Sequence, residues 1–265
     1  MSGPAPARWY DLRIRVLSAG AMIGIGAVGV WLGGVSFAAL VILLTAGMVW
    51  EVARLTAPAQ RENAVALGLI AAAALLLTLR SPPGLAAAFV LVPALAMALT
   101  PRRDRRLAAG WAAAAMVAGF GLITLRQADG TPVILWLILV VVASDVMGYF
   151  VGRTLGGPKF WPRVSPKKTW SGTVAGWLGA GLVGWIFVAI LNASPQIVGL
   201  SIAMSMAAQM GDISESAIKR KVGVKDASNL IPGHGGLLDR FDGLLGAAVL
   251  LLVVEQMVDF PPLGQ

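Results

Sequence analysis

From Thr169 to Gly211 the chain runs 43 residues without one Asp, Glu, Lys or Arg. Soluble domains carry about one charged residue in four, so a stretch like this one belongs in lipid. At about 20 residues per crossing of the hydrocarbon layer, it accommodates two spans. Apolar runs of similar length recur from Ile14 to Val258, only 13% of residues are charged, and the mean hydropathy is +0.79. The expected fold is all-α, a polytopic integral membrane protein. The absence of cysteine excludes a disulfide framework and thiolate metal sites.

Nine transmembrane helices are predicted, at 14–32, 35–52, 64–80, 84–100, 107–125, 132–151, 172–192, 196–213 and 243–259. The first two are separated only by Leu32-Gly-Gly-Val-Ser36, which demands a very tight turn. Arg8 to Arg15, followed by an apolar stretch, has the outline of a signal peptide. It lacks a convincing small-residue cleavage site and further spans follow directly, so it reads as a retained first helix. With the N-terminus cytoplasmic, nineteen of the 21 basic residues fall in inner segments and only Arg80 and Arg126 in outer ones. That is the positive-inside pattern. It puts two charge-rich loops, 152–171 and 214–242, on the cytoplasmic face. The chain then divides into N-terminal transmembrane helices (1–130) and a C-terminal transmembrane region (131–265) that carries both loops. The net charge of +8 lies almost wholly at the inner surface, where anionic head groups account for it. No aromatic-interleaved basic platform points to nucleic acid.

Gly24-Ile-Gly-Ala-Val-Gly29 spells a dinucleotide fingerprint, yet it lies inside a span with no strand before it. Helix packing through small residues is the better reading, and the same holds for Gly172 and Gly176.

The charge missing from the spans reappears at once: ten of the thirty-one residues from Asp212 to Asp242 are charged, and His234, the single histidine, sits among them. Asp145, Asp212, Glu215, Asp239 and Asp242 all border span ends, where carboxylates are costly and default to function. Glu51 and Glu255 also border spans and are read as interfacial or helix-pairing residues. Asp212, Glu215, Ser216 and Lys219 share one helical face. That face is either a solvated stripe or, with Arg220 and Lys221 beyond it, a place for a metal and a polyphosphate. Ile231-Pro-Gly-His234-Gly235-Gly236 cannot be regular helix, and its amides can approach an anion. His234 is either a structural hydrogen-bonder or a phosphate or base contact. Asp239 and Asp242 stand at i, i+3 where span nine opens, one able to bind metal, both suited to a helix N-terminus. In the other loop, Ser165, Lys167, Lys168 and Thr169 precede a helix start, a good phosphate site or else a plain juxtamembrane basic patch. Taken together, acids, cations and glycine-rich backbone at one membrane face suit phosphoryl or nucleotidyl transfer.

Ser216-Ala-Ile-Lys219-Arg220, then Lys225-Asp226, then Pro232-Gly-His234-Gly235-Gly236-Leu-Leu-Asp239-Arg240-Phe-Asp242 resembles the hallmark motif of phosphatidate cytidylyltransferases, or CDP-diacylglycerol synthases. Ser144-Asp145, Gly148 to Arg153 and Ser165 to Trp170 resemble the family's other cytoplasmic elements. The likeness covers about residues 140–243. This chain has Val146-Met147-Gly148 where the family more often has Thr-Gly-Ala, and Ser171 where it usually carries Glu, so position 171 receives no metal or catalytic role. The resemblance implies CTP and phosphatidate as substrates, CDP-diacylglycerol and pyrophosphate as products, and Mg2+, with or without a second cation. It also implies a homodimer in the bacterial cytoplasmic (inner) membrane. Asp212 and Asp239 would hold the metal and act in catalysis together with Lys219. Ser216 would lie close by; Arg220, Lys225, Arg240 and the Lys167–Lys168 pair would meet triphosphate or lipid phosphate. Ser165, Thr169, Asp145, Asp226, His234, Gly235, Gly236 and Asp242 complete the expected substrate-binding set. Two rivals stand: a CTP-using polyprenol or phytol kinase, which would release CDP, and an ion-coupled transporter, which would place its polar residues near the bilayer midplane.

Overall fold

A computed structural model describes residues 6–257, with side chains from Leu12 onward. Nine helices follow in order: α1 (Pro6–Leu32), α2 (Gly34–Thr56), α3 (Arg61–Thr78), α4 (Pro83–Leu99), α5 (Arg105–Ala128), α6 (Gly130–Thr154), α7 (Trp170–Leu191), α8 (Gln196–Val222) and α9 (Leu238–Met257). All nine expected spans are helical; positions 258 and 259 of the last lie outside the described residues. Seven are long and apolar enough to cross a membrane by length and composition. Of the other two, α4 has 17 residues, and α9 opens with Asp239, Arg240 and Asp242 ahead of its apolar part. The chain is an integral membrane protein.

The tight turn is a single residue. Gly33 (φ +61°) links α1 to α2 and Gly34 (φ +47°) begins the next helix, in a region that residues bearing a Cβ seldom adopt. α1 packs mainly along α2 and leaves Leu17, Ile23 and Trp31 facing outward. The remaining helices close around a core that includes Leu75, Met97, Met116, Trp136, Leu137 and Met204, with α5 lying against both α2 and α9.

Two expected loops contain more order than the sequence suggests. Within 152–171 an antiparallel hairpin forms from β1 (Lys159–Trp161) and β2 (Ser165–Thr169). Within 214–242 the first third is the last two turns of α8, which end at Gly223 (φ +80°), where the Val224 amide donates to the Lys219 carbonyl, a glycine stop of the usual kind. The acids of α8 therefore stand on a rigid helix and not on a loop.

The helices around this end approach each other through glycine. A Cβ at Gly172 would press on Gly148 and Gly152 of α6, and one at Gly176 would meet the Ser144 carbonyl at 2.9 Å. Lipid removes the hydrophobic drive for helix pairing, and small residues and interhelical hydrogen bonds replace it. The Ser144–Ser205 hydroxyl pair at 2.7 Å and the Trp136 indole on Ser201 at 2.9 Å supply such bonds. Gly24 and Gly26 differ: a Cβ on either meets nothing within 4 Å, and only Gly29 of that motif packs, against Leu40. The small-residue packing expected there holds at one glycine of three.

Candidate active site

A cavity of about 840 Å³ opens at the end of the bundle that carries most of the basic residues, walled by α6, the hairpin, the start of α7, the end of α8 and the start of α9. Thr169 fixes the hairpin to α7: its hydroxyl accepts the Gly172 amide at 3.2 Å as an N-cap. Ser171 donates to the Gly156 carbonyl and so ties α7 to the segment after α6. Position 171, where an acid would be usual, serves here as a tether.

Of the expected residues, Asp145, Lys167, Lys168, Thr169, Asp212, Asp239, Arg240 and Asp242 line the cavity. Asp212 pairs with Lys168, joining α8 to the hairpin. Its carboxylate also meets those of Glu215 and Asp242, with oxygens of all three within 4.8 Å of one another. Glu215 and Asp242 are buried. Acids this close need a proton or a cation among them. Lys219 supplies one, reaching Glu215 at 2.6 Å and Asp239 at 2.5 Å.

Asp239 sits in the first turn of α9, ahead of the apolar span. Its second oxygen accepts the Ala227 amide at 2.8 Å and the Gly236 amide at 2.7 Å. Burial alone would push this carboxyl up, but the Lys219 ammonium and the two amides outweigh it and hold its pKa below the ordinary carboxylate range. It is an anion at neutral pH.

The glycine loop is a tight turn bridged from Ile231 to Gly235, with Gly233 and Gly235 at positive φ. His234 faces α1, its Nδ1 2.8 Å from the Ser18 hydroxyl, while its carbonyl accepts from Arg240 Nε at 2.9 Å. His234, Gly235 and Gly236 thus shape the turn and do not line the cavity. Ser165, Ser216, Lys219, Arg220, Lys225 and Asp226 also stand outside the lining, and Arg220, Lys225 and Asp226 are solvent-exposed.

Several lining residues received no site role from the sequence. Arg153 and Lys159 face the cavity, Arg153 holding the Tyr149 hydroxyl at 2.6 Å. Gln209, neutral and inside the charge-free run, lines the deep wall; it accepts the Trp177 indole at 3.0 Å and donates to the Thr173 carbonyl at 3.2 Å. Its i−3 spacing from Asp212 was the available signal. Glu51, expected to be interfacial or helix-pairing, is fully buried against the glycine loop and the start of α9.

A family model described as the cytidylyltransferase family matches residues 13–258. The chain belongs to that family. Among curated members, the phosphatidate cytidylyltransferase of Brucella abortus biovar 1 is 37% identical over 255 residues, covering 91% of this chain and 92% of its own. Those of Rickettsia bellii (38% over 140 residues, 48% and 61% covered) and Mycobacterium leprae (41% over 138 residues, 51% and 44% covered) match over about half of this chain. Family membership thus extends well upstream of the motifs at 140–243 that suggested it.

Proposed function

We propose that this chain transfers CMP from CTP to phosphatidate, giving CDP-diacylglycerol and pyrophosphate, at the cavity between α6, the hairpin, α8 and α9. The supporting observation is that one cavity gathers the acids Asp145, Asp212, Asp239 and Asp242 with Lys167, Lys168 and Arg240, in a chain 37% identical over nearly its whole length to a phosphatidate cytidylyltransferase. Its volume of about 840 Å³ is within the usual range for small-molecule sites.

The nucleophile is an oxygen of the lipid phosphate, already anionic near neutral pH, so no strong general base is needed. A new bond forms from that oxygen to the α-phosphorus of CTP while the α–β bridging bond breaks and pyrophosphate leaves. What the protein must supply is alignment and charge neutralisation. Lys167, Lys168 and Arg240 line the cavity and are the cations that would contact phosphate oxygens. Lys219 keeps Glu215 and Asp239 compatible at close range.

Mg2+ fits the donors: hard carboxylate oxygens converge from Asp212, Glu215 and Asp242, the ligand type this ion takes. Asp212 is the proposed ligand from this cluster, with Asp242 and Glu215 close enough to complete a shell or serve a second cation. Asp239, proposed with it, stands outside the cluster and would reach the ion by giving up its Lys219 partner. When bound, the ion would neutralise charge on the transferring phosphate.

The distribution of basic residues supports an N-terminus and a site on the cytoplasmic side of a bacterial inner membrane. The family resemblance supports a homodimer. Purified protein should release pyrophosphate only when CTP, phosphatidate and Mg2+ are all present; release of CDP with a polyprenol substrate would favour the kinase.

A further inference from the structure

We propose that Glu51 is a positioning residue for this reaction: from α2 it clamps the first turn of α9 and so holds Asp239 in place. The first amides of a helix have no partner within it, and a Ser, Thr or Asp just before the helix commonly satisfies them. Before α9 stand Gly236 and Leu237, which offer no such group. The cap comes instead from a helix almost two hundred residues earlier. Glu51 Oε1 accepts the Leu237 amide at 2.9 Å and the Ser228 hydroxyl at 2.5 Å, and Oε2 accepts the Leu238 amide at 2.6 Å.

The fit is close. A Cβ at Gly236 would collide with the Glu51 carboxylate, so glycine is required there for the approach. Among the described residues Glu51 forms no ion pair with Lys or Arg, and its hydrogen-bond partners all belong to the loop before α9 or its first turn. A carboxylate serving only to pair helices would have no reason to aim at these amides. Asp239 binds the same loop from the other side, through the Ala227 and Gly236 amides. Two carboxylates therefore clip the segment 227–238 between them. Without Glu51, the Leu237 and Leu238 amides lose their partners in a buried place, and Asp239 stands on a loosened turn.

The inference rests on the cytidylyltransferase reading for its kinetic part only. The test uses full-length Glu51→Gln and Glu51→Asp in detergent, with Glu62→Gln, on the exposed start of α3, as the control. Hydrogen exchange over 228–238 reads the clamp without any turnover. The expected result for Glu51→Gln is faster exchange there, kcat lower by about 10- to 100-fold, a raised Mg2+ requirement, and a much smaller change in KM for CTP. Glu51→Asp should recover part of kcat. Wild-type exchange would overturn the contact, and faster exchange with wild-type kcat and Mg2+ requirement would overturn its role in the reaction. If Glu51→Gln does not fold, Ser228→Ala removes one donor to Glu51 and should lower kcat to a smaller degree; an unchanged kcat would overturn the proposal. Failure of the unsubstituted chain to turn over CTP and phosphatidate would count against the assigned reaction, and exchange would still decide whether the clamp exists.

Discussion

Glycine recurs in α1, four in 27 residues, and in α7, five in 22, but mostly to opposite effect. Gly24 and Gly26 of α1 face open space, whereas Gly172 and Gly176 of α7 lie against the backbone of α6. α1 turns its large apolar residues outward and packs chiefly on α2, with Ser18 reaching the glycine loop, so Gly24 and Gly26 cost it helix propensity without a packing return, and only Gly29 of that motif packs. In the second half, glycine is what brings α6, α7, α8 and α9 close enough for Ser144, Gln209, Asp212 and Asp242 to share one cavity. Glycine count alone says nothing about this; what stands opposite each one decides its role.

The comparison can be broken most sharply at the cavity itself. Asp239→Asn should leave the protein inserted and folded while lowering turnover by about two to three orders of magnitude, the scale of losing a preorganised electrostatic group. Near-normal activity would remove Asp239 from the metal site and leave the Asp212, Glu215 and Asp242 cluster as the alternative. Next in size is Gly211→Ala. The added methyl would collide with the Asp242 carbonyl, and such overpacking costs about 1–3 kcal/mol. Thermal unfolding should therefore fall, and turnover with it, because the substitution forces apart the helices that carry Asp212 and Asp242. Lys167→Ala should act mainly on substrate affinity, raising KM for CTP or phosphatidate by about tenfold, the value of one charge-assisted hydrogen bond. Unchanged KM for both substrates would reduce Lys167 to a surface charge. Gly24→Ala should change neither activity nor KM and should gain up to about 1 kcal/mol of helix stability; a loss comparable to that at Gly211 would mean that the Gly24 face of α1 packs on something.

Much of this was legible in the sequence, because lipid enforces simple rules. Apolar length gave all nine helices, and the Gly33–Gly34 pair gave the turn between the first two. The acids were legible for the same reason: in a chain so poor in charge, Asp145, Asp212, Asp239 and Asp242 stand out, and all four line the cavity. Partnership was not legible. Helical spacing put Lys219 on the face of Asp212 and Glu215, yet its link to Asp239 comes from a turn and a helix start that no periodicity describes. Gln209 was overlooked because it bears no charge. For Glu51 the sequence supports an interfacial or helix-pairing role; the structure joins α2 to the start of α9 through it, but its amide partners lie on the far side of the sequence, and a hydrogen bond to backbone leaves no residue type behind to recognise. The hairpin at 159–169 was missed because its strands are three and five residues long and too short to show an alternation.

The most direct test of the account is to follow CTP labelled at the α-phosphate in purified protein with phosphatidate and Mg2+. Nucleotidyl transfer at this cavity predicts label in the lipid with pyrophosphate released, and loss of both in Asp212→Asn. Label remaining in water-soluble CDP, or label entering lipid undiminished in Asp212→Asn, would contradict it.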